Sequence, residues 1–203
     1  MTQITTIIFD IGGVIYRAGD GPLLREKWAP LCNLSHQEFD DIVFRDPLFS
    51  KSVIGEISSE TLWERKNEKL KLSAEALAEL RNDNWNGVWD AELLDFIKSE
   101  LKPYYKLGIL SDANSGTREK VKPYIDFSLF ASVIFSYEVG MCKPDPNIFR
   151  LALNRLCVKP EETIFIDDRK HNVAGAIDVG MQAILYEEFG PFKRDLESAL
   201  TSI

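Results

Sequence analysis

The chain has 203 residues, 45% of them hydrophobic and 28% charged, which is ordinary for a globular protein long enough to bury a sizeable core. Its formal charge of −8 argues against nucleic acid, because a phosphate backbone calls for a basic footprint. Any phosphate bound by so acidic a chain needs a metal ion or local cations. Cys32, Cys142 and Cys157 lack C-x-x-C spacing, which speaks against a zinc or redox motif and favours a reducing cytoplasm. The reading finds no signal-peptide pattern at the start and no run as long as a membrane span.

The first apolar run, Ile4–Phe9, ends on an acid, Asp10, followed by Gly12 and Gly13. A continuous apolar run of this length fits a strand covered on both faces. After Tyr16 about eighty residues pass before the next such run, and they read as helices. Ser35 with Glu38 makes a capping box. Ser58 or Ser59 opens Glu60–Leu70, Ser73 opens Ala74–Arg81, and Asp90 opens Ala91–Leu101. The Glu/Lys-rich stretch Glu60–Lys71 reads as a solvated helix face with i,i+4 pairs. Trp28, Trp63, Trp85 and Trp89 read as the core of this segment, one or two of them available to a pocket.

Further along, Leu107–Leu110, Ser132–Phe135, Thr163–Ile166 and Gln182–Tyr186 read as strands. Helical patterns at Ser115–Tyr124, Pro146–Leu156, Asn172–Val179 and Pro191–Leu200 lie among and after them. Alternating β and α of this kind predicts an α/β fold with a doubly wound parallel sheet. The expected organisation is a core of residues 1–17 and 91–203, with a small helical cap, residues 18–90, inserted after the first strand. Gly12–Gly13 and Gly19–Gly21 are the expected near hinge and Asn82–Gly87 the far one.

Ligands of open parallel sheets bind at the carboxyl ends of the strands. The residues leaving those ends are Asp10, Ser111 with Asp112, Glu138 to Lys143, and the pair Asp167–Asp168. Any one of them could simply end a strand; together they look like a site. Tyr16 and Arg17, just past the glycines, are expected near Asp10 as pocket residues. His36 and His171 are expected on helix surfaces.

The ordered motifs FDIGGV, ILSDANS, GMCKPDPNIF and FIDDRKHNVAGA resemble those of the haloacid dehalogenase superfamily, over almost the whole chain. The nearer resemblance is to phosphatase-like members with a helical cap, among them sugar-phosphate phosphatases whose first motif is Asp-x-Gly. The resemblance implies a Mg²⁺-dependent phosphatase acting on a small phosphorylated molecule; monomer and homodimer both stay open. It makes Asp10 the nucleophile and gives Asp10, the Gly12 carbonyl and Asp168 to the metal. Asp168 is preferred to Asp167 because the family's metal acid lies eight residues before the Ala after the helix glycine, here Ala176. Ser111, the backbone around Asp112–Asn114 at the start of the next helix, and Lys143 would hold the phosphate. Asn172 could hydrogen-bond the acid pair.

Most phosphatases of this family carry a second Asp where this chain has Gly12. That acid donates and then removes a proton, assistance typically worth about 10²–10⁴-fold. Its absence suits a good leaving group such as an anomeric oxygen. A side chain at Gly12 is expected to risk backbone strain. Two other readings share the fold: a metal-free haloacid dehalogenase, and a silent binding protein.

Overall fold

The computed structural model describes residues 3–19 and 21–201. The proposed Gly19–Gly21 hinge includes Asp20, which lies outside the described residues. Strand β1 (Thr6–Phe9) leads to a loop and to a two-residue strand β2 (Tyr16–Arg17). Five helices follow: α1 (Gly21–Leu31), α2 (His36–Val43), α3 (Leu48–Val53), α4 (Ser59–Leu70) and α5 (Ala74–Asp83). A short β3 (Val88–Trp89) pairs antiparallel with β2, so the two connections to the helical segment are zipped side by side.

The chain then alternates. Helix α6 (Ala91–Phe96) ends in a π turn, Ile97–Leu101, and gives way to β4 (Lys106–Ser111) and α7 (Thr117–Val121). Next come β5 (Ser132–Phe135), α8 (Ser136–Val139), α9 (Pro146–Leu156) and β6 (Thr163–Asp167). Helix α10 (Lys170–Asp178), β7 (Gln182–Leu185) and α11 (Phe189–Thr201) complete it. The main sheet is parallel throughout, in the order β5-β4-β1-β6-β7.

Successive residues of β1 point to opposite faces, and each face has its own core. Ile7 and Phe9 pack with Phe96, Ile97, Val121, Phe192 and Leu196 on one side. Ile8 packs with Ile148, Phe149, Leu153 and Ala176 on the other. Burial on both faces explains why the strands are unbroken apolar runs. The helical segment has a separate core built on Trp28, Phe39, Ile42, Trp63, Leu70 and Leu80.

The caps follow the sequence closely. Ser35 and Glu38 form the capping box of α2, Ser58 accepts from Thr61 N–H, and Ser73 accepts from Ala76 N–H. Three expectations need correction. Trp85 and Trp89 belong to the main core, stacking around Tyr16 instead of joining Trp28 and Trp63. Helix α7 begins only at Thr117, because Gly116 takes a left-handed φ of 86° as its N-cap. Lys66 on α4 is buried, at 3% exposure, so that helix is not solvated all along its charged stretch.

Two hydrogen bonds from the ends of α3 and α4 tie the helical segment to the sheet layer. Ser136 Oγ lies 2.7 Å from the Val53 carbonyl, and Ser59 N–H donates to Ser115 Oγ at 2.8 Å.

Candidate active site

The central position of β1 brings three strand ends together. In register, Phe9 pairs with Ile109 of β4 and with Ile166 of β6. One residue further on, Asp10 N–H donates to the Ile166 carbonyl at 2.9 Å. Asp10 therefore leaves the sheet beside Asp167, with Ser111 on its other flank. One ligand oxygen each from Asp10, Asp167 and Asp168 fall within 4.8 Å of one another.

Lys143 closes this cluster. Its ammonium is fully buried and sits 3.0 Å from Asp10 Oδ2 and 2.7 Å from Asp167 Oδ2. It also donates to the Leu110 carbonyl at 3.1 Å. Its backbone N–H donates to Asp112 Oδ1 at 3.0 Å. Pro146 opens α9 at its first turn under an Asp145 side-chain cap, which fixes the far end of the Lys143 loop. Burial alone would lower the lysine's pKa, but Asp10, Asp167 and Asp112 outweigh it and hold the ammonium above its ordinary value.

The acids differ sharply. Asp10 Oδ1 accepts from Ile11 N–H at 2.7 Å. Burial pushes its carboxyl from 3.8 up to about 6, with Lys143 pulling down and Asp167 pushing up. Asp167 is fully buried and its oxygens are saturated. Besides Lys143 it accepts from Arg169 N–H at 2.8 Å, and Asn172 Nδ2 reaches both oxygens at 3.0 Å. Asn172 Oδ1, also buried, has no partner among the described residues. Asp168 is exposed, and no side-chain or ion-pair partner engages its carboxylate among the described residues. One lysine against these three carboxylates leaves an excess of hard, negative oxygen. That donor set suits a small divalent cation such as Mg²⁺.

Ser111 is buried at the strand end, where its hydroxyl slightly offsets the rise in the Asp10 carboxyl's pKa. The loop after it differs from expectation. Ala113 N–H is taken by Ser136 Oγ at 2.9 Å, and Asp112–Asn114 precede α7 instead of opening it. These are loop amides, without a helix terminus behind them. Asn114 faces a cavity of about 420 Å³ between the helical segment and the strand ends. Ala18, Trp63, Trp85 and Arg169 also line it, whereas Tyr16 and Arg17 do not. Tyr16 is buried with its hydroxyl on the Trp85 carbonyl at 2.6 Å, and Arg17 reaches the Glu187 carbonyl at 3.2 Å. His36 and His171 are exposed, as expected.

The two glycines have different reasons. Gly13 has φ +76°, and a Cβ there would collide with the Asp168 carboxylate. Gly12 is free of both constraints: its φ is not left-handed and a Cβ would meet nothing within 4 Å. The expected strain at Gly12 is therefore absent and belongs to its neighbour. Gly13→Ala should destabilise the fold by at least about 1 kcal/mol, whereas Gly12→Ala should leave thermal melting within a degree or two of wild type. Equal melting points for the two variants would refute this division.

A five-stranded parallel sheet with a buried carboxylate, a buried lysine and an acid pair at its carboxyl ends defines an α/β enzyme site. Residues 4–180 match the model of the haloacid dehalogenase-like hydrolases, and the chain belongs to that family. It is 41% identical over 68 residues to bifunctional epoxide hydrolase 2 of Rattus norvegicus, a match covering 34% of this chain and 12% of that protein. It is 36% identical over 98 residues to a glyceraldehyde 3-phosphate phosphatase of Pyrococcus furiosus, covering 47% of this chain and 41% of the relative. The chain thus spans well under half of these relatives. A haloacid dehalogenase family enzyme of Bacteroides thetaiotaomicron, crystallised with magnesium and inorganic phosphate, superposes with a TM-score of 0.78 at 22% identity. That match covers 93% of this chain and 98% of the other. Among the described residues no helix is long and apolar enough to cross a membrane.

Proposed function

We propose that this hydrolase is a Mg²⁺-dependent phosphatase of small phosphorylated metabolites, working through an aspartyl-phosphate on Asp10. The observation that carries the reading is the unequal acid pair: Asp167 is spent on Lys143 and Asn172, while Asp168 stands unpartnered beside Asp10. A dehalogenase that works without metal has no use for a third carboxylate that repels its nucleophile. Asp10, Asp168 and the Gly12 carbonyl would hold the cation, which when bound neutralises charge between carboxylate and phosphate. The helices of residues 18–90, with their separate core, form the cap in this reading.

The chain's own residues then divide the work. Asp10 attacks phosphorus, the bond to the leaving oxygen breaks, and the phosphoryl group passes to the carboxylate. Lys143 lies against Asp10 and offsets negative charge as the transferring oxygens gather it. The Ser111 hydroxyl donates to a phosphate oxygen, and Asp112 holds Lys143 by its backbone. Asp167 keeps the lysine aimed and Asn172 keeps Asp167 aimed. Water then cleaves the acyl-phosphate, releasing inorganic phosphate and restoring Asp10.

Gly12 offers the leaving oxygen no proton. The rate should therefore depend steeply on leaving-group pKa, with anomeric and aryl phosphates turning over well ahead of primary alkyl phosphates. Because a Cβ meets nothing within 4 Å at this position, Gly12→Asp should fold and gain most, about tenfold or more, on the poor leaving groups. A flat dependence in the wild type would mean that another group supplies the proton.

The direct test is a panel of phosphorylated metabolites assayed for phosphate release with Mg²⁺ and with EDTA, beside 2-chloropropionate assayed for chloride. Phosphate release that falls to background in EDTA is expected. Chloride release in EDTA, or no phosphate release from any ester, would overturn the reading.

A further inference from the structure

Helix α4 carries Leu62, Trp63, Lys66 and Leu70 on its buried face. A lysine at that position is costly, because a charge removed from water must be repaid by partners. Lys66 is only 3% exposed. Its ammonium donates to the Val43 carbonyl at the end of α2, 2.8 Å away, and lies 4.7 Å from the centre of the Trp63 ring. No carboxylate among the described residues comes within ion-pair distance; Asp46 attracts it only from further off. Burial accordingly brings its pKa down to about 8. The carbonyl accounts for one of its three protons.

Lys66 lines the cavity that opens beside Asn114 and Arg169. The same wall carries Arg81 and Lys120. Lys120 is half-buried, in no ion pair among the described residues although Glu60, also at the cavity, attracts it from further off, and sits 5.1 Å from the Trp85 ring. Arg81 reaches only the exposed Glu60, at 3.5 Å. A chain of net charge −8 thus concentrates cations, with aromatic rings behind them, around one recess next to its acidic strand ends. The volume of about 420 Å³ suits a small molecule.

We propose that this cavity receives a second acidic group, a carboxylate or a second phosphoryl, carried on the leaving portion of the substrate, and that Lys66 is the buried cation that reads it. This rests on the phosphatase reading and narrows it: the substrate is a phosphate monoester with a distal anion. Arg81 and Lys120 line the approach, and the charge they offer the distal group is what an uncharged ester lacks. Asn114, three residues past Ser111, and Arg169, next to Asp168, join the lining of this cavity to the strand ends.

The test uses three series of esters with three to six carbons: plain alkyl phosphates, ω-carboxyalkyl phosphates, and α,ω-bisphosphates. At one chain length at least, the wild type should favour an acid-bearing ester over the plain one by tenfold or more in kcat/KM. The carboxylate and bisphosphate arms tell which acid is read. In Lys66→Met that ratio should fall to near unity, and Lys66→Arg should keep part of it. The corresponding phosphonates, titrated by calorimetry, report the same preference without turnover. If no ester is hydrolysed, the phosphatase reading fails, and the phosphonates still decide whether Lys66 selects a distal anion. Equal use of plain and acid-bearing ligands at every length would overturn the proposal. So would a preference that survives in folded Lys66→Met. Should that variant fail to fold, Lys66→Arg and Lys120→Gln must each lower the ratio for the proposal to stand.

Discussion

Asp10→Asn should lower phosphate release by at least about 10³-fold while the protein stays folded. The amide has the shape of the carboxylate but is a poor nucleophile and carries no charge for a cation. The variant should also change the pH dependence of stability. Burial raises the wild-type carboxyl from 3.8 to about 6, so the folded state prefers the protonated form. The stability this contributes is complete below 3.8 and is lost as pH rises through 6. In EDTA, the melting point of Asp10→Asn relative to wild type should therefore climb between pH 4 and pH 7. Added Mg²⁺ should stabilise the wild type at the upper end and the variant much less. Near-wild-type rates in the variant would remove Asp10 from the chemistry.

The second large effect separates Asp167 from Asp168. Asp167→Ala strips a fully buried lysine of its shorter ion pair and leaves Asn172 Nδ2 without its acceptors. Breaking one side of a buried pair typically costs about 3–5 kcal/mol, which for a chain of this size is roughly 10 °C of melting temperature. Asp168→Ala removes an exposed, unpartnered group, and metal-free melting should barely move. Calorimetry should show its Mg²⁺ affinity reduced at least about tenfold. Activity alone would mislead, since both variants should be poor enzymes. The proposed roles exchange if Asp168→Ala melts early and binds Mg²⁺ normally while Asp167→Ala does the reverse.

Much of the frame was legible in the sequence because its signals are local. The strand Ser132–Phe135 and the helix Pro146–Leu156 have the boundaries their patterns predict. The Ser35–Glu38 box needs only four consecutive residues. The pairing of Tyr16–Arg17 with Val88–Trp89 left no mark, since two-residue strands have no periodicity and the partners lie far apart in sequence. The late start of α7 depends on one left-handed glycine.

At the site, Asp10, Ser111, Lys143 and the acid pair were visible as residues ending strands. The resemblance also preferred Asp168 to Asp167 for the metal; that Lys143 meets Asp167 was not visible, because the two lie far apart in sequence. Tyr16 and Arg17 stand near Asp10 in the chain but turn away from the cavity. Lys66 did carry a signal: with Leu62, Trp63 and Leu70 it falls on one stripe of its helix. The abundance of charge in Glu60–Lys71 hid it.

Ser136 has a consequence for how the two layers part. Its hydroxyl has a single proton and two carbonyls in reach, Val53 at 2.7 Å in the helical segment and Ala113 at 3.1 Å in the loop after β4. While that proton is turned toward Val53, the hydroxyl still accepts from Ala113 N–H. If the helices swing away, the proton rotates to the Ala113 carbonyl and the buried donor is never orphaned. Release would then expose only the Val53 carbonyl, which water can satisfy, so parting the layers at this contact would leave no buried donor without an acceptor.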